Sequence, residues 1–391
     1  MRYLLLRLKR FCGFITGFIF LISGLFKLMD PVGAGLVMKE YYEFLHIGFL
    51  NFSAKPAGVL FALAESVIGA GLITGVWRKF VAMTAICIQA FFTLLTLLLV
   101  IFNPEMDCGC FGEAIHLTHM QTFVKNIVLM ALLLIYYIPK KCLGETRKKK
   151  YISFALVSVS IAAFTVYSWI YIPLVDYTAY RPGAELNVGA VTDTDEMYES
   201  VFVYEKDGVQ ETFTLGHLPD DSWTFVSTHT RMVEGKEENL VGLSFYSMAT
   251  GEYQDSLAID GKVMIISVYD TEISERSWKK TSKFIERSRQ AGFNTLLLCS
   301  SETGIPYNMQ EQVYISDYKT LISLNRSNGG ATYFNNGELI RKWADANYPD
   351  SKGLTIVHDD DDTEISIEHE SKGSLAFQGF LLYIFAVMLL L

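Results

Sequence analysis

Six long apolar runs, at roughly 11–28, 57–76, 80–102, 122–138, 151–173 and 375–391, limit what this chain can fold into. Most are close to the ~20 residues that a helix needs to cross a bilayer, and the last is at the short limit. A helix satisfies every backbone N–H and C=O within its own segment, so runs of this length predict membrane-spanning helices. A side chain content that is 51% hydrophobic and 19% charged fits spans plus a soluble part better than any single soluble class.

The formal net charge is -9, but the signs are segregated. Arg2, Arg7, Lys9 and Arg10 precede the first run, Arg78 and Lys79 lie between the second and third, and a strongly basic loop at 140–150 follows the fourth. Alternate threading puts these three basic segments on one side, which the positive-inside rule makes the cytoplasm. The asymmetry reports topology and gives no sign of a nucleic-acid partner. No small-x-small cleavage site ends the first run, so it reads as a retained span and not a removed signal. The expected location is a bacterial inner membrane with both termini cytoplasmic. Between the fifth and sixth runs, about 176–372 would then be periplasmic.

That soluble stretch has two textures. Around Asp207-Gly208, VFVYEKDGVQETFTL reads as a hairpin. From Gly261, KVMIISVYD is a buried strand, SERSWKKTSKFIERSRQ an amphipathic helix and NTLLLCSS a second buried strand. Helical DYKTLISLN follows, then a hairpin about Asn336-Gly337, an order expected of a small α/β sandwich. It resembles a thioredoxin fold. The position of that fold's Cys-x-x-Cys is held here by Ser274 and Ser277, and Asn328, Gly329 and Gly330 stand where its proline is expected. Cys299, inside an apolar strand, reads as a buried structural thiol. The run at 359–362 lacks the glycine and terminal Glu of a calcium loop and reads as a solvated linker.

The loop between the third and fourth runs, NPEMDCGCFGEAIHLTHM, brings Cys108 and Cys110 together with Asp107, Glu113, His116 and His119. Threading places it on the periplasmic side, which permits disulfides. Cys12, Cys87 and Cys142 map near the opposite face. A ring closed across Gly109 is small and strained, and strained disulfides are the more oxidising ones. A thiol-exchange pair, reoxidised by a quinone or by another protein, is one reading. A Zn or Cu(I) site using His116 and His119 is a second, and a structural disulfide or two idle thiols a third.

Charged and polar residues inside spans face the bundle and mark function. Glu65 lies about 12 Å below the outer start of the second run at 1.5 Å per residue. Lys27 ends the first run, where it is long enough to snorkel, and Lys125 and Asn126 begin the fourth. Lys27, Glu65, Cys108, Cys110 and Asn126 are expected to converge on one periplasm-facing pocket. Gln89 reads as a helix-to-helix hydrogen bond and the glycines of GAGLITG as close helix packing.

SGLFKLMDP, AESVIGAGLITG and CGCFG, in that order over about 10–140, resemble the DoxX-like membrane proteins, in particular the branch of the methylamine-utilisation protein MauE. With the soluble part they resemble a fused form found among Bacteroidetes. The resemblance implies a four-helix membrane bundle acting in disulfide formation or maturation of exported proteins. The expected architecture is therefore an α-helical bundle, a four-span core plus two further spans, with a periplasmic α/β thioredoxin-like domain. Its expected parts are the core at 1–140, a basic loop and fifth span at 141–175, a β-rich segment at 176–240, the thioredoxin-like domain at 241–358, an acidic linker at 359–374 and a final span at 375–391. Expected partners are the lipid bilayer and periplasmic protein thiols or envelope proteins. Set against a redox role is a noncatalytic envelope assembly protein that binds through its soluble domain.

Overall fold

The computed structural model describes residues 2–104, 106, 108–138, 146–187, 198–206, 209–214, 223–232 and 240–390. Among them are six helices long and apolar enough to cross a membrane: Leu6–Met29, Gly48–Thr74, Arg78–Phe102, His119–Tyr137, Lys148–Ile170 and Asp362–Leu390. They correspond one for one to the six apolar runs. Asp107, Glu105, Cys142 and the Asp207-Gly208 turn lie outside the described residues. The chain divides into two compact units, Met1–Thr178 with Ile367–Leu391, and Ala179–Ser366.

In the first unit, α1 (Arg2–Met29) and α3 (Ala54–Thr74) cross with their backbones nearly touching. A Cβ added to Gly69 would lie 2.6 Å from the Gly17 carbonyl oxygen, and one on Gly24 would lie 2.6 Å from that of Ala62. Small residues at such a crossing let two membrane helices approach closely. Gly75, with φ +70°, ends α3 in the left-handed conformation, and α4 (Arg78–Phe102) turns back at once to complete a hairpin. Helix α5 (His119–Tyr137) opens with a capping box in which Thr118 and Gln121 satisfy each other's backbone N–H groups. Helix α6 (Lys148–Ile170) packs on the C-terminal helix, where Phe164 stacks on Phe380 at 4.6 Å and Ser153 donates to the Val387 carbonyl.

An additional short helix, α2 (Pro31–Phe44), lies between the first two spans. It starts at Asp30, whose carboxylate accepts the Gly33 N–H at 2.9 Å, with Pro31 in the first turn.

The second unit is built on a mixed sheet of eight strands. They are β2 (Glu185–Leu186), β6 (Leu240–Val241), β7 (Phe245–Ser247), β8 (Lys262–Val268), β9 (Asn294–Cys299), β10 (Val313–Ser316), β11 (Gly330–Asn335) and β12 (Glu338–Trp343). Their order is β6-β2-β12-β11-β8-β9-β10-β7, with β8, β9 and β10 parallel and β11 antiparallel to β8. Along β8 the side chains alternate between two cores. Met264 and Ile266 pack with Trp278 and Phe284 of α7 (Glu275–Gln290) and Leu354 of α9 (Ser351–Asp359). Val263 and Ile265 pack with Leu321 and Leu324 of α8 (Tyr318–Leu324) on the other face. Helices on both faces explain why β8 and β9 read as continuous apolar runs.

Asn336 and Gly337, both with positive φ, turn β11 into β12 as expected of an Asn-Gly hairpin. The hairpin at 198–214 is part of a separate three-stranded sheet, β4 (Val209–Thr214), β3 (Tyr198–Lys206) and β5 (Thr224–Met232) in that order, all antiparallel.

Two features depart from the sequence reading. The large sheet takes strands from both soluble textures, because β2 and β6 add to the β12 edge. Most of the stretch 359–374 read as an acidic linker is helical: α9 ends at Asp359 and α10 (Asp362–Leu390) begins three residues later, with only the exposed Asp360 and Asp361 between them. The Asp362 carboxylate accepts from the Tyr333 hydroxyl at 2.7 Å and the Asn335 amide at 2.6 Å, so a residue assigned to solvent is tied to β11.

Candidate functional site

The close α1–α3 crossing places Lys27, one helical turn beyond Gly24, beside Glu65, which precedes Ser66. Lys27 Nζ and Glu65 Oε2 are 2.6 Å apart, and both side chains are largely buried. Lys27 therefore pairs inward and does not snorkel. Its ammonium also stands over the Phe92 ring, 5.7 Å from the centroid. On the facing helices, Gln89 donates to the Asn126 carbonyl at 3.0 Å, and the Asn126 amide donates to Thr96 Oγ1 at 3.2 Å.

These residues line one cavity of about 320 Å³ among α1, α2, α3, α4 and α5, together with Cys108 and Cys110. That volume is within the usual range of a small-molecule pocket. Its walls are mostly apolar and aromatic and include Phe61, Phe91, Phe92, Tyr41 and Tyr42. The polar centre is the Lys27–Glu65 ion pair flanked by the Gln89 and Asn126 amides, with Lys125 also on the lining, so it presents both hydrogen-bond donors and acceptors.

Over the cavity, the cysteine loop is held by its backbone. The Ser23 hydroxyl donates to the Cys110 carbonyl at 2.5 Å, and the Tyr41 hydroxyl donates to the Cys108 carbonyl at 2.8 Å. Gly109 between them has φ +58°, and a Cβ there would run into the Val37 side chain. Cys108 is buried and Cys110 is half-buried. The extended segment β1 (Cys110–Glu113) leads away, and Lys125 sits 4.9 Å over the Phe111 ring. Burial first, then Cys110 and Cys108, raise the Tyr41 hydroxyl above the usual phenol range, so it remains a donor.

The five residues expected to converge, Lys27, Glu65, Cys108, Cys110 and Asn126, all line this cavity. The two histidines do not. His119 is engaged by the Met106 carbonyl at 2.9 Å and by Asn103, and His116 is exposed. Among the described residues no group of three or more His, Cys, Asp or Glu side chains is placed to hold a metal ion. Ser23 and Tyr41 were not singled out from sequence. For Tyr41 the signal was present in Asp30-Pro31, a helix start that makes α2 a wall of the site.

The fold and cavity define a polytopic α-helical membrane protein with a ligand-sized pocket beside a cysteine pair. Within that class, residues 3–139 match the family model described as methylamine utilisation protein MauE, so the part holding the cavity is MauE-like. Residues 198–235, which cover the three-stranded sheet, match a domain of unknown function (DUF8463). No curated protein and no solved structure matches the chain.

Proposed function

We propose that this MauE-like membrane protein is a thiol–disulfide oxidoreductase that serves the maturation of exported proteins, with Cys108 and Cys110 as the exchanging pair and a quinone as electron acceptor. The observation that carries the reading is that both cysteines line the same cavity as the Lys27–Glu65 pair and Asn126. In its oxidised form the pair accepts two electrons from a substrate dithiol: a substrate thiolate attacks one sulfur, a mixed disulfide forms, and the second substrate thiol resolves it. Reoxidation removes two electrons and two protons from Cys108 and Cys110. The S–S bond forms as the two carbonyl oxygens of the quinone become hydroxyls. Lys27, Lys125 and the amide of Asn126 are donors on the cavity lining, and Glu65 is the group suited to hold a proton there.

Segregation of basic residues supports a periplasmic position for the loop, in an inner membrane. For the soluble unit, the order β9-β8-β11-β12 with α7 and α8 on opposite faces supports the thioredoxin-like reading. Ser274 caps α7, and its hydroxyl lies 3.0 Å from that of Ser277, so the helix start has no thiol. This favours a docking role for that unit, and a noncatalytic assembly protein is the second reading.

Substrate trapping tests the choice. Cys108→Ser and Cys110→Ser proteins, made full length in cells, should accumulate reductant-sensitive adducts with exported proteins. No adduct, and an unchanged thiol state of exported proteins in both variants, would overturn the redox reading. Loss of function on deleting 177–373 while both cysteine variants behave normally would support the assembly role.

A further inference from the structure

We infer that the cavity is loaded sideways from the bilayer, through a portal between α3 and α4, and that the portal holds the long apolar tail of the quinone whose head reaches the Lys27–Glu65 pair. The inference rests on the acceptor reading above for the identity of the head. The position of the opening is a separate observation.

Three residues that line the cavity are also substantially exposed: Leu45 at 39%, Phe61 at 39% and Phe91 at 48%. Phe61 lies on α3 about 10 Å from its first residue, and Phe91 on α4 about 16 Å from its last, at 1.5 Å per residue. Both positions fall inside helices long enough to span, so exposure there is exposure at the depth of acyl chains. The loop end of the cavity is different. Cys108 is buried, and hydrogen bonds from Ser23 and Tyr41 hold the loop over it.

Phe61 and Phe91 stack with ring planes 6° apart and centroids 6.2 Å apart, lining the opening between α3 and α4 with aromatic rings. From Phe91 the next residue, Phe92, turns inward to stand over the Lys27 ammonium. Moving inward from the lipid, the surface changes from aromatic and aliphatic to the ion pair and the Gln89–Asn126 amides. A ligand matching that gradient has a polar head bearing acceptors and an apolar tail that stays in the membrane. A polar, water-borne oxidant matches only the inner end.

The test is photolabelling of the full-length protein in lipid nanodiscs with a quinone that carries a diazirine on its isoprenoid tail, with labelled positions mapped by peptide mass spectrometry. Labels should fall around Leu45, Phe61, Phe91 and Leu95. An unlabelled quinone with the same tail should suppress them, while the same head without a tail should fail to do so at equal concentration. Leu95→Trp, which fills the portal from a lining position, should cut labelling at least tenfold without lowering the unfolding temperature. Leu94→Trp, on the neighbouring lipid-facing position, should leave labelling intact. Equal competition by the tailless head, or labels confined to the cysteine loop, would overturn lateral entry. Equal labelling by a diazirine phospholipid that quinone does not displace would overturn it too, reducing the portal to an ordinary lipid groove. A protein with both Cys108 and Cys110 changed to Ser should still be labelled, so failure of the thiol chemistry and failure of the portal give different results.

Discussion

Lys27 Nζ stands 2.6 Å from Glu65 Oε2, joining the last turn of α1 to the middle of α3 inside the membrane unit. Breaking a buried pair by removing one partner leaves an uncompensated charge and costs about 3–5 kcal/mol. Lys27→Met and Glu65→Gln should each lower the thermal unfolding temperature of the detergent-solubilised protein. The double variant should recover most of that loss, because no isolated charge remains. Equal and additive losses would mean that the two groups do not depend on each other.

The cysteine loop hangs on two side-chain hydroxyls, and a typical hydrogen bond contributes about 0.5–1.5 kcal/mol net. Ser23→Ala and Tyr41→Phe should therefore raise the maleimide alkylation rate of Cys108 by about three- to tenfold, since 1.4 kcal/mol is a factor of ten. Site-resolved mass spectrometry of the native protein reads the rate. An unchanged rate in both variants would show that other contacts hold the loop shut.

Gly109 answers to two separate demands, a left-handed backbone and the close approach of Val37. A left-handed conformation costs an ordinary residue about 1–2 kcal/mol. Gly109→Ala should destabilise the protein by at least that amount, and adding Val37→Ala should recover only the steric part. Complete rescue in an unfolding measurement would show that the backbone angle carries no cost.

How legible each feature was in the sequence depended on its length and on the range of its contacts. The six spans were plain because hydrocarbon imposes a composition on a whole segment. Strands β8 and β9 and helix α7 were plain because burial on both faces, or on one helical face, repeats over several residues. Strands β2 and β6, two residues each, are set by pairing with distant partners and carry no local period. Helix α2 was hidden by its mixed composition, although Asp30-Pro31 marked its start. Within the site, Glu65 stood out as a charge in a span, but its partner depended on a helix crossing made by Gly17, Gly24 and Gly69. Ser23 and Tyr41 bond to backbone carbonyls, and a hydroxyl's choice of carbonyl leaves no pattern in the chain.

Cys299 closes β9 inside the core of the second unit, and burial pushes its thiol from 9.0 up to about 12. The folded state thus favours the neutral thiol, while the unfolded chain ionises near the ordinary value. Between those two values the native protein holds a proton that the unfolded chain has lost, so stability falls as pH rises. The contribution is fully present below about pH 9 and is lost progressively towards pH 12. In the full-length protein, denaturation monitored in the second unit should show stability falling with pH above 9 more steeply for the wild type than for Cys299→Ala. The alanine variant is less stable at neutral pH because of the cavity it leaves, so the comparison is of slopes. Tyrosines titrating in the same range cancel between the two proteins. Parallel pH profiles, or rapid alkylation of Cys299 in the native protein at pH 8, would place the thiol in contact with solvent and remove the basis for this prediction.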